Sequence, residues 1–511
     1  MSSLHSTITK GSRDSSPAVN HAAENGTPKL DFSGKAIKHY LLTRFTELIP
    51  SKKMIQANRR LMNPIPALRE MNRKQWLMFS SAFLAWMWVA YDFFTISLNI
   101  SNLSKDYNRP VKSITWGITL VLMVRTIGSI IFGYLGDRYG RKWPLVLNMG
   151  LVCVLQIGTG FVKNYKQFLA VRALFGVLLG GVYGNAAATA LDDCPNDARG
   201  FISGFLQQGY TFGYLMAVIF KRAIADNSKY GWKATFWFGS GISFLIMIFR
   251  CLLPETDSFI KSQELAEYKK QNNIEDKSFS RTAKEACRQY WLIMIYLILF
   301  AAGFNFISHS SQDMYPTLLT VQYSFSEDRS TVTNCIANIG AMFGGIIMGH
   351  ASSIFGRRFI IIICCIAGGA LIYPWAFIKS SAINVGAFFL QFCVQGAWGA
   401  VPIQLSELAP PQFRAFVVGL AYQLGNLASS ASSTIETTIG EQFPITLENG
   451  EKTFDYAKVM AIFVGCVFIY IIIVAFLGPE RRNYSFDANE DSDGEYDEEE
   501  VIVPKDKNSM V

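Results

Sequence analysis

Asn305, His309 and Asp313 stand four residues apart in the string Asn305-Phe-Ile-Ser308-His309-Ser-Ser311-Gln312-Asp313-Met-Tyr-Pro316-Thr317. On a helix this spacing makes one polar stripe, with Ser308 and Gln312 beside it. A histidine one turn from a carboxylate titrates near neutral pH, so His309 and Asp313 are suited to taking up and releasing a proton. Pro316 then stops or breaks the helix. A second group is Arg125, about ten residues inside an apolar run. Its guanidinium is either a bidentate partner for a carboxylate ligand or half of a structural pair with Asp92 or Asp313. No nucleophile–base pair, phosphate-cradling loop or metal-ligand spacing accompanies these residues, so neither an enzyme nor a bound metal or cofactor is expected.

The elements that position these side chains must live in lipid. Half of the 511 residues are apolar and 14% are aromatic, while 17% are charged, against about 25% in soluble domains. Mean hydropathy is +0.22 although both ends are polar. An ordinary soluble enzyme is excluded. The net charge of +8 is scattered over tails and loops, without the basic stripe that nucleic acid requires. Most of the nine cysteines (Cys153, Cys251, Cys335, Cys364, Cys365, Cys393, Cys466) lie in apolar runs and read as small core residues.

Spanning a bilayer takes about 20 predominantly apolar residues. Twelve such runs occur, near 76–98, 114–135, 145–162, 167–190, 202–220, 233–253, 291–312, 331–350, 359–378, 384–406, 415–438 and 457–478. They divide the chain into an N-terminal tail (1–75), a six-helix half (76–253), a central loop (254–290), a second six-helix half (291–478) and a tail (479–511). Residues 1–75 carry 13 Lys/Arg against 5 Asp/Glu, which predicts a cytosolic N-terminus and, after twelve spans, a cytosolic C-terminus. Basic clusters fall in the loops placed inside, including seven basic residues between 254 and 290. The outer loops are mixed or acidic, as from Glu436 to Asp455. The stretch 487–500 holds nine acids and no bases and is read as a solvated extension, with regulatory partners as its conceivable use. An ionisable side chain at membrane depth costs at least about 2.5–3.5 kcal/mol, so Arg125, Arg172, His309 and Asp313 each imply an interior or aqueous role.

The chain also repeats itself. Gly133-Tyr-Leu-Gly-Asp137-Arg138-Tyr-Gly140-Arg141-Lys142 follows span two, and Gly349-His-Ala-Ser-Ser353-Ile-Phe-Gly356-Arg357-Arg358 follows span eight, an offset of 216. Asp192-x-x-Pro195-x-x-x-Arg199 matches Glu407-x-x-Pro410-x-x-x-Arg414 at an offset of 215, which also lays Gln208 over Gln423. Duplicated halves of this kind build transporters with a site near the midplane between them. The 133–142 loop resembles the signature of the major facilitator superfamily, as do Arg172-x-x-x-Gly176-x-x-x-Gly180 and Pro254-Glu255. The resemblance covers residues 76–480 and implies an all-α membrane protein of twelve transmembrane helices in two pseudo-symmetric halves. It further implies that Asp137, Arg138 and Arg141 form a gating loop that latches the cytosolic side. The second copy has Ser353 where the first has its acid.

The span-seven string is similar to the Asn-x-x-Ser/Thr-His-x-Ser-Gln-Asp-x-x-x-Thr signature of the fungal carboxylate–proton symporters, the Jen family. Tyr422-Gln423-Leu-Gly-Asn426 and Ser433-Thr-Ile-Glu-Thr in span eleven resemble it too. That family implies proton-driven uptake of short-chain carboxylates across the plasma membrane. On this chain the resemblance makes Asn305, His309, Gln312 and Asp313 transport residues, and Arg125, Gln423 and Asn426 substrate-site candidates. Span five carries Gln207-Gln208 where the resemblance gives the monocarboxylate branch less polar residues. A second carboxylate brings two more oxygens that need donors once desolvated. Adjacent helical residues lie about 100° apart, so only one glutamine need face the cavity; repeat symmetry directs Gln208 toward the axis, opposite Gln423. Asp92 is a further departure from the lactate carriers and a candidate second proton site. These features favour succinate and malate over lactate and pyruvate. The partners expected are a small carboxylate, a proton and the lipid bilayer. A facilitator for neutral solutes and a nutrient receptor on the same fold are the competing readings; the buried arginine beside carboxylates argues against the first, and the featureless charge of 487–500 against the second.

Overall fold

The computed structural model describes residues 34–480 apart from 51–54, 57, 110, 226, 272–278, 411–412 and 448–451. The acidic stretch 487–500 and the first 33 residues lie outside the described residues. Four of the spans begin at a residue whose side chain caps their unsatisfied N–H groups. Asn72 and Gln75 form a reciprocal capping box at Arg73–Leu98, span one. Asn164 caps Tyr165–Leu191 (span four), Ser326 caps Glu327–Phe355 (span eight) and Asp455 caps Tyr456–Leu477 (span twelve). Spans two, three, six and seven are Val111–Tyr139, Lys142–Phe161, Trp232–Leu252 and Phe279–Gln312. Span seven stops at Gln312, ahead of Pro316, and a short turn of helix, Tyr315–Thr317, follows.

Nine helices among the described residues are each long and apolar enough to cross a membrane. Spans five, nine and eleven are instead made in two pieces: Arg199–Gln207 with Gly209–Phe220, Arg357–Ala370 with Ile372–Ala376, and Arg414–Ser429 with Ser432–Gly440. Span eleven parts within Ala428-Ser-Ser-Ala-Ser-Ser-Thr, a run weak in helix propensity. Span ten runs from Ile383 to Leu408. The twelve crossings form an all-helical membrane bundle of two six-helix halves. Outside it the expected 254–290 loop contains the helix Asp257–Gln271, and span seven is already helical from Phe279. Between spans eleven and twelve, β1 (Pro444–Thr446) pairs antiparallel with β2 (Lys452–Phe454). Glu436, expected to begin an outer loop, lies within the second piece of span eleven and is fully buried.

Large apolar side chains such as Ile127, Ile131, Phe161, Phe343 and Ile473 remain exposed, as they must where the surroundings are hydrocarbon. Helices pack closely where glycine removes the side chain. A Cβ at Gly180 of span four would collide with the Arg125 carbonyl of span two, and one at Gly184 with Ala415 of span eleven. Span four therefore lies against the backbones of both halves, and this small-residue seam brings Arg125, Tyr183 and span eleven to one level. Contacts between the halves run mainly from span two to span eleven and from span five to span eight.

Candidate functional site

Arg125 sits midway along span two and is 1% exposed. Its Nε and Nη2 have no acceptor among the described residues, although an unsatisfied buried donor costs about 1–3 kcal/mol and a charged one more. The guanidinium lies 5.9 Å from the centre of the Tyr422 ring and within reach of the Tyr210 hydroxyl. Those two rings belong to an aromatic cage. Tyr183 of span four and Tyr422 of span eleven stack at 3.9 Å across the two halves, and Trp86 lies 5.0, 5.3 and 5.9 Å from Tyr183, Tyr210 and Tyr422. Trp398 closes the cage 5.9 Å from Tyr422, with its indole N–H donating to Ser308 at 2.7 Å. Sequence reasoning met Tyr422 only as part of the span-eleven string and missed the other four, because nothing distinguishes them in one dimension from the many aromatics in apolar spans.

The span-seven stripe forms as its spacing predicts. His309 Nδ1 lies 3.0 Å from Asp313 Oδ2, and Nε2 lies 3.5 Å from Asn426 Oδ1 of span eleven. Arg125 is within electrostatic reach of His309 from the opposite half. Gln312 donates to Gln391 of span ten, 3.1 Å, and Gln391 in turn bonds Ser311. Gln391 is a second residue that the sequence did not single out. Asn305 is buried and returns its amide to the Ala301 carbonyl of its own helix. Neither structural partner foreseen for Arg125 is realised. Asp313 is bonded to His309, and the charged neighbour of Asp92 is Arg172.

Asp92 is thus separate from the cage. It is fully buried in the first half, 3.4 Å from Ser243. Arg172, its electrostatic partner, is held by Gln156 at 3.0 Å and Thr159 at 2.7 Å. The span-five glutamines divide differently from the symmetry expectation. Gln207 accepts from the Tyr183 hydroxyl at 3.4 Å and so edges the cage. Gln208 instead packs where Gly345 of the other half leaves room, while Gln423 reaches back to the Gly180 carbonyl at 3.5 Å. The two symmetry mates each cross the interface, but neither meets the other.

At the end of the bundle that carries the 133–142 loop, the halves are tied. Asp137 accepts from the Ala415 and Phe416 N–H groups at the start of span eleven, 3.2 and 2.8 Å, and pairs with Arg141 at 2.8 Å. Asp192 bridges Arg141 and Arg414, the latter at 2.8 Å from the opposite half. Arg138 takes no part: it turns outward to Tyr134. In the second copy, which has Ser353 in place of the acid, Arg357 binds Glu407 through Nε and Nη2 and donates to both Ser352 and Ser353, all within the second half. Gly140 (φ +94°) and Gly356 (φ +108°) turn each loop in a conformation that favours glycine. Each is covered by a carboxylate, Glu255 bonding Lys142 N–H and Glu480 bonding Arg357 N–H. Cys194 lies beside this latch, and burial pushes its thiol up to about 12. Substituting Asp137→Ala should loosen the tie, and Cys194 should then react several-fold faster with a maleimide, read site by site by mass spectrometry. An unchanged rate would mean that Asp137 does not hold this end closed.

Comparison with known proteins agrees with this architecture. Residues 73–491 match the family model described as "Sugar (and other) transporter". The chain is 40% identical over 474 residues to a "Carboxylic acid transporter protein homolog" of Saccharomyces cerevisiae, covering 90% of this chain and 76% of that one. Among solved structures, the proton:xylose symporter XylE of the major facilitator superfamily, bound to 6-bromo-6-deoxy-D-glucose, superposes with a TM-score of 0.61 at 16% identity, over 78% of this chain and 94% of that one. The human organic anion transporter MFSD10 superposes with a TM-score of 0.59 at 13% identity, over 80% and 100%. At these identities the two structures speak to the fold.

Proposed function

As the chain belongs to the sugar (and other) transporter family and has the major facilitator fold, we propose that it is a proton-coupled symporter importing short-chain carboxylates, dicarboxylates such as succinate and malate foremost, by alternating access. The observation that carries this reading is Arg125, a buried guanidinium with two nitrogens lacking acceptors, at an aromatic cage between the halves. A carboxylate supplies what those nitrogens lack. The similarity to a yeast protein named as a carboxylic acid transporter homolog supports the same substrate class.

In this cycle an outside proton joins the His309–Asp313 pair, and the gained charge favours binding of the anion to Arg125 with Gln312, Gln391 and Asn426 nearby. The halves rock, breaking the Asp137 and Asp192 ties, and proton loss inside weakens binding and releases the acid. Coupling requires only that proton and substrate favour each other's binding by about 1–3 kcal/mol. Gln207, at the edge of the cage, is the donor best placed for a second carboxylate. The excess of basic residues in 1–75 orients the latched end and both termini toward the cytosol, with the plasma membrane as the site of uptake. Asp92 keeps a place as a second proton site inside the first half.

The test is labelled succinate uptake at pH 5 in cells lacking their own carboxylate carriers, with excess unlabelled malate, lactate or pyruvate. Malate should compete and lactate should not, and a protonophore should stop uptake. Entry of lactate with exclusion of succinate would make the chain a monocarboxylate carrier. Uptake insensitive to the protonophore would leave a facilitator.

A further inference from the structure

Span eleven presents two residues to the titratable end of span seven, one from each of its pieces. Asn426, in the first piece, meets His309. Glu436, in the second piece, packs beside span seven, with Asp313 as the charge acting on it. Glu436 is fully buried, and neither of its carboxyl oxygens has a hydrogen-bond partner among the described residues. Span twelve also packs on this piece, but its charged groups are engaged elsewhere. Asp455 at its start accepts from Gln322, and the Lys458 ammonium lies 4.0 Å from the centre of the Phe443 ring. No cation among the described residues is shown to act on Glu436.

An ionised carboxylate with no donor on either oxygen is costly in a protein interior, and a second carboxylate beside it makes the charged form costlier still. The site is therefore complete only with a proton or a small cation on one of the two acids. We propose that Glu436 is a second proton-binding residue of the transport site, protonated while buried here and losing its proton in the opposite-facing state, when rearrangement of the halves gives its carboxylate a hydrogen-bond donor. This deepens the proposed symport and rests on it. Asp313 then has two partners of different kinds, a histidine in its own helix and a carboxyl in span eleven. The proton on Glu436 counts in the number carried with each substrate. A dianion would in this way cross with more than one proton.

The test uses the full-length protein in proteoliposomes, unaltered and as E436Q and E436D. The readouts are succinate accumulation driven by a pH gradient, succinate–succinate exchange at equal pH, and protons taken up per succinate from an entrapped pH indicator. E436Q holds the neutral form permanently, so exchange should continue, gradient-driven accumulation should fall and one proton fewer should move per succinate. E436D should retain coupling. Equal loss of exchange and accumulation in both variants would mean a packing role and overturn the proposal, as would an unchanged proton ratio in E436Q. Succinate movement that requires sodium instead of a pH gradient would assign the site to a metal cation, and also overturn it. A substrate-independent readout separates this from failure of the symport reading itself: infrared difference spectra between acidic and basic pH should contain a protonated-carboxyl band lost in E436Q. If the unaltered protein moves no succinate but that band is present and Glu436-dependent, the substrate assignment has failed and the proton site stands; if the band persists in E436Q, the proton site has failed.

Discussion

Substituting Arg125→Ala is expected to abolish carboxylate uptake while leaving a folded protein in the membrane. The guanidinium is 1% exposed, has Nε and Nη2 unpaired and has neither Asp92 nor Asp313 as its partner. No buried acid is therefore orphaned by its loss, and stability should hold or rise once an unsatisfied charge is removed. Binding should suffer, since truncating one side of a desolvated charge pair costs about 2–5 kcal/mol, roughly 30-fold to several-thousand-fold in affinity. Arg125→Lys should recover only part of it, because an ammonium is a point charge and the planar fork is lost. Uptake beside surface labelling decides the matter: normal transport by the alanine variant would remove Arg125 from the site, and loss of surface protein would make it structural.

A different signature is expected for the proton pair. His309→Ala removes the 3.0 Å contact and Asp313→Asn removes its negative charge, and either change disables the group through which proton binding favours anion binding. Uptake by the unaltered protein should be faster at pH 5 than at pH 7, as the protonated pair adds positive charge opposite the substrate. In the variants the ratio of the two rates should approach one, with gradient-driven accumulation lost. Exchange of labelled for unlabelled succinate should survive better than accumulation, because exchange needs no net proton movement. Variants that keep the full pH dependence would move the coupling elsewhere, and Asp92 with Arg172 is then the buried charged pair to test next.

Much of this arrangement is legible in the chain, for physical reasons. The i, i+4, i+8 spacing of Asn305, His309 and Asp313 survives in the structure because a helix imposes it locally. Arg125 stands out because hydropathy makes a mid-span charge conspicuous. The latch is expected from the resemblance of the 133–142 loop to the superfamily signature. What fails to show is what only tertiary packing decides. Trp86, Tyr183, Tyr210, Trp398 and Tyr422 become a cage because Gly180 and Gly184 let spans meet, and no spacing rule selects five aromatics from five different spans. The offset pairs Gln208 with Gln423 and sets them opposite each other, whereas each turns to a different place in the opposite half, since Gly345 and the Gly180 carbonyl offer space and an acceptor there. Glu436 stands in the span-eleven motif and is expected at the start of an outer loop, because its sequence position at the end of the apolar run does not show that the helix continues to Gly440 and buries it.

The most direct measurement is labelled succinate in proteoliposomes holding only this protein, with an inward proton gradient and no other ion gradient. Accumulation above the outside concentration, collapsing on addition of a protonophore and absent in Arg125→Ala, is the outcome expected of a carboxylate–proton symporter built around Arg125 and His309–Asp313. Succinate that merely equilibrates across the bilayer, with or without the gradient, would contradict it.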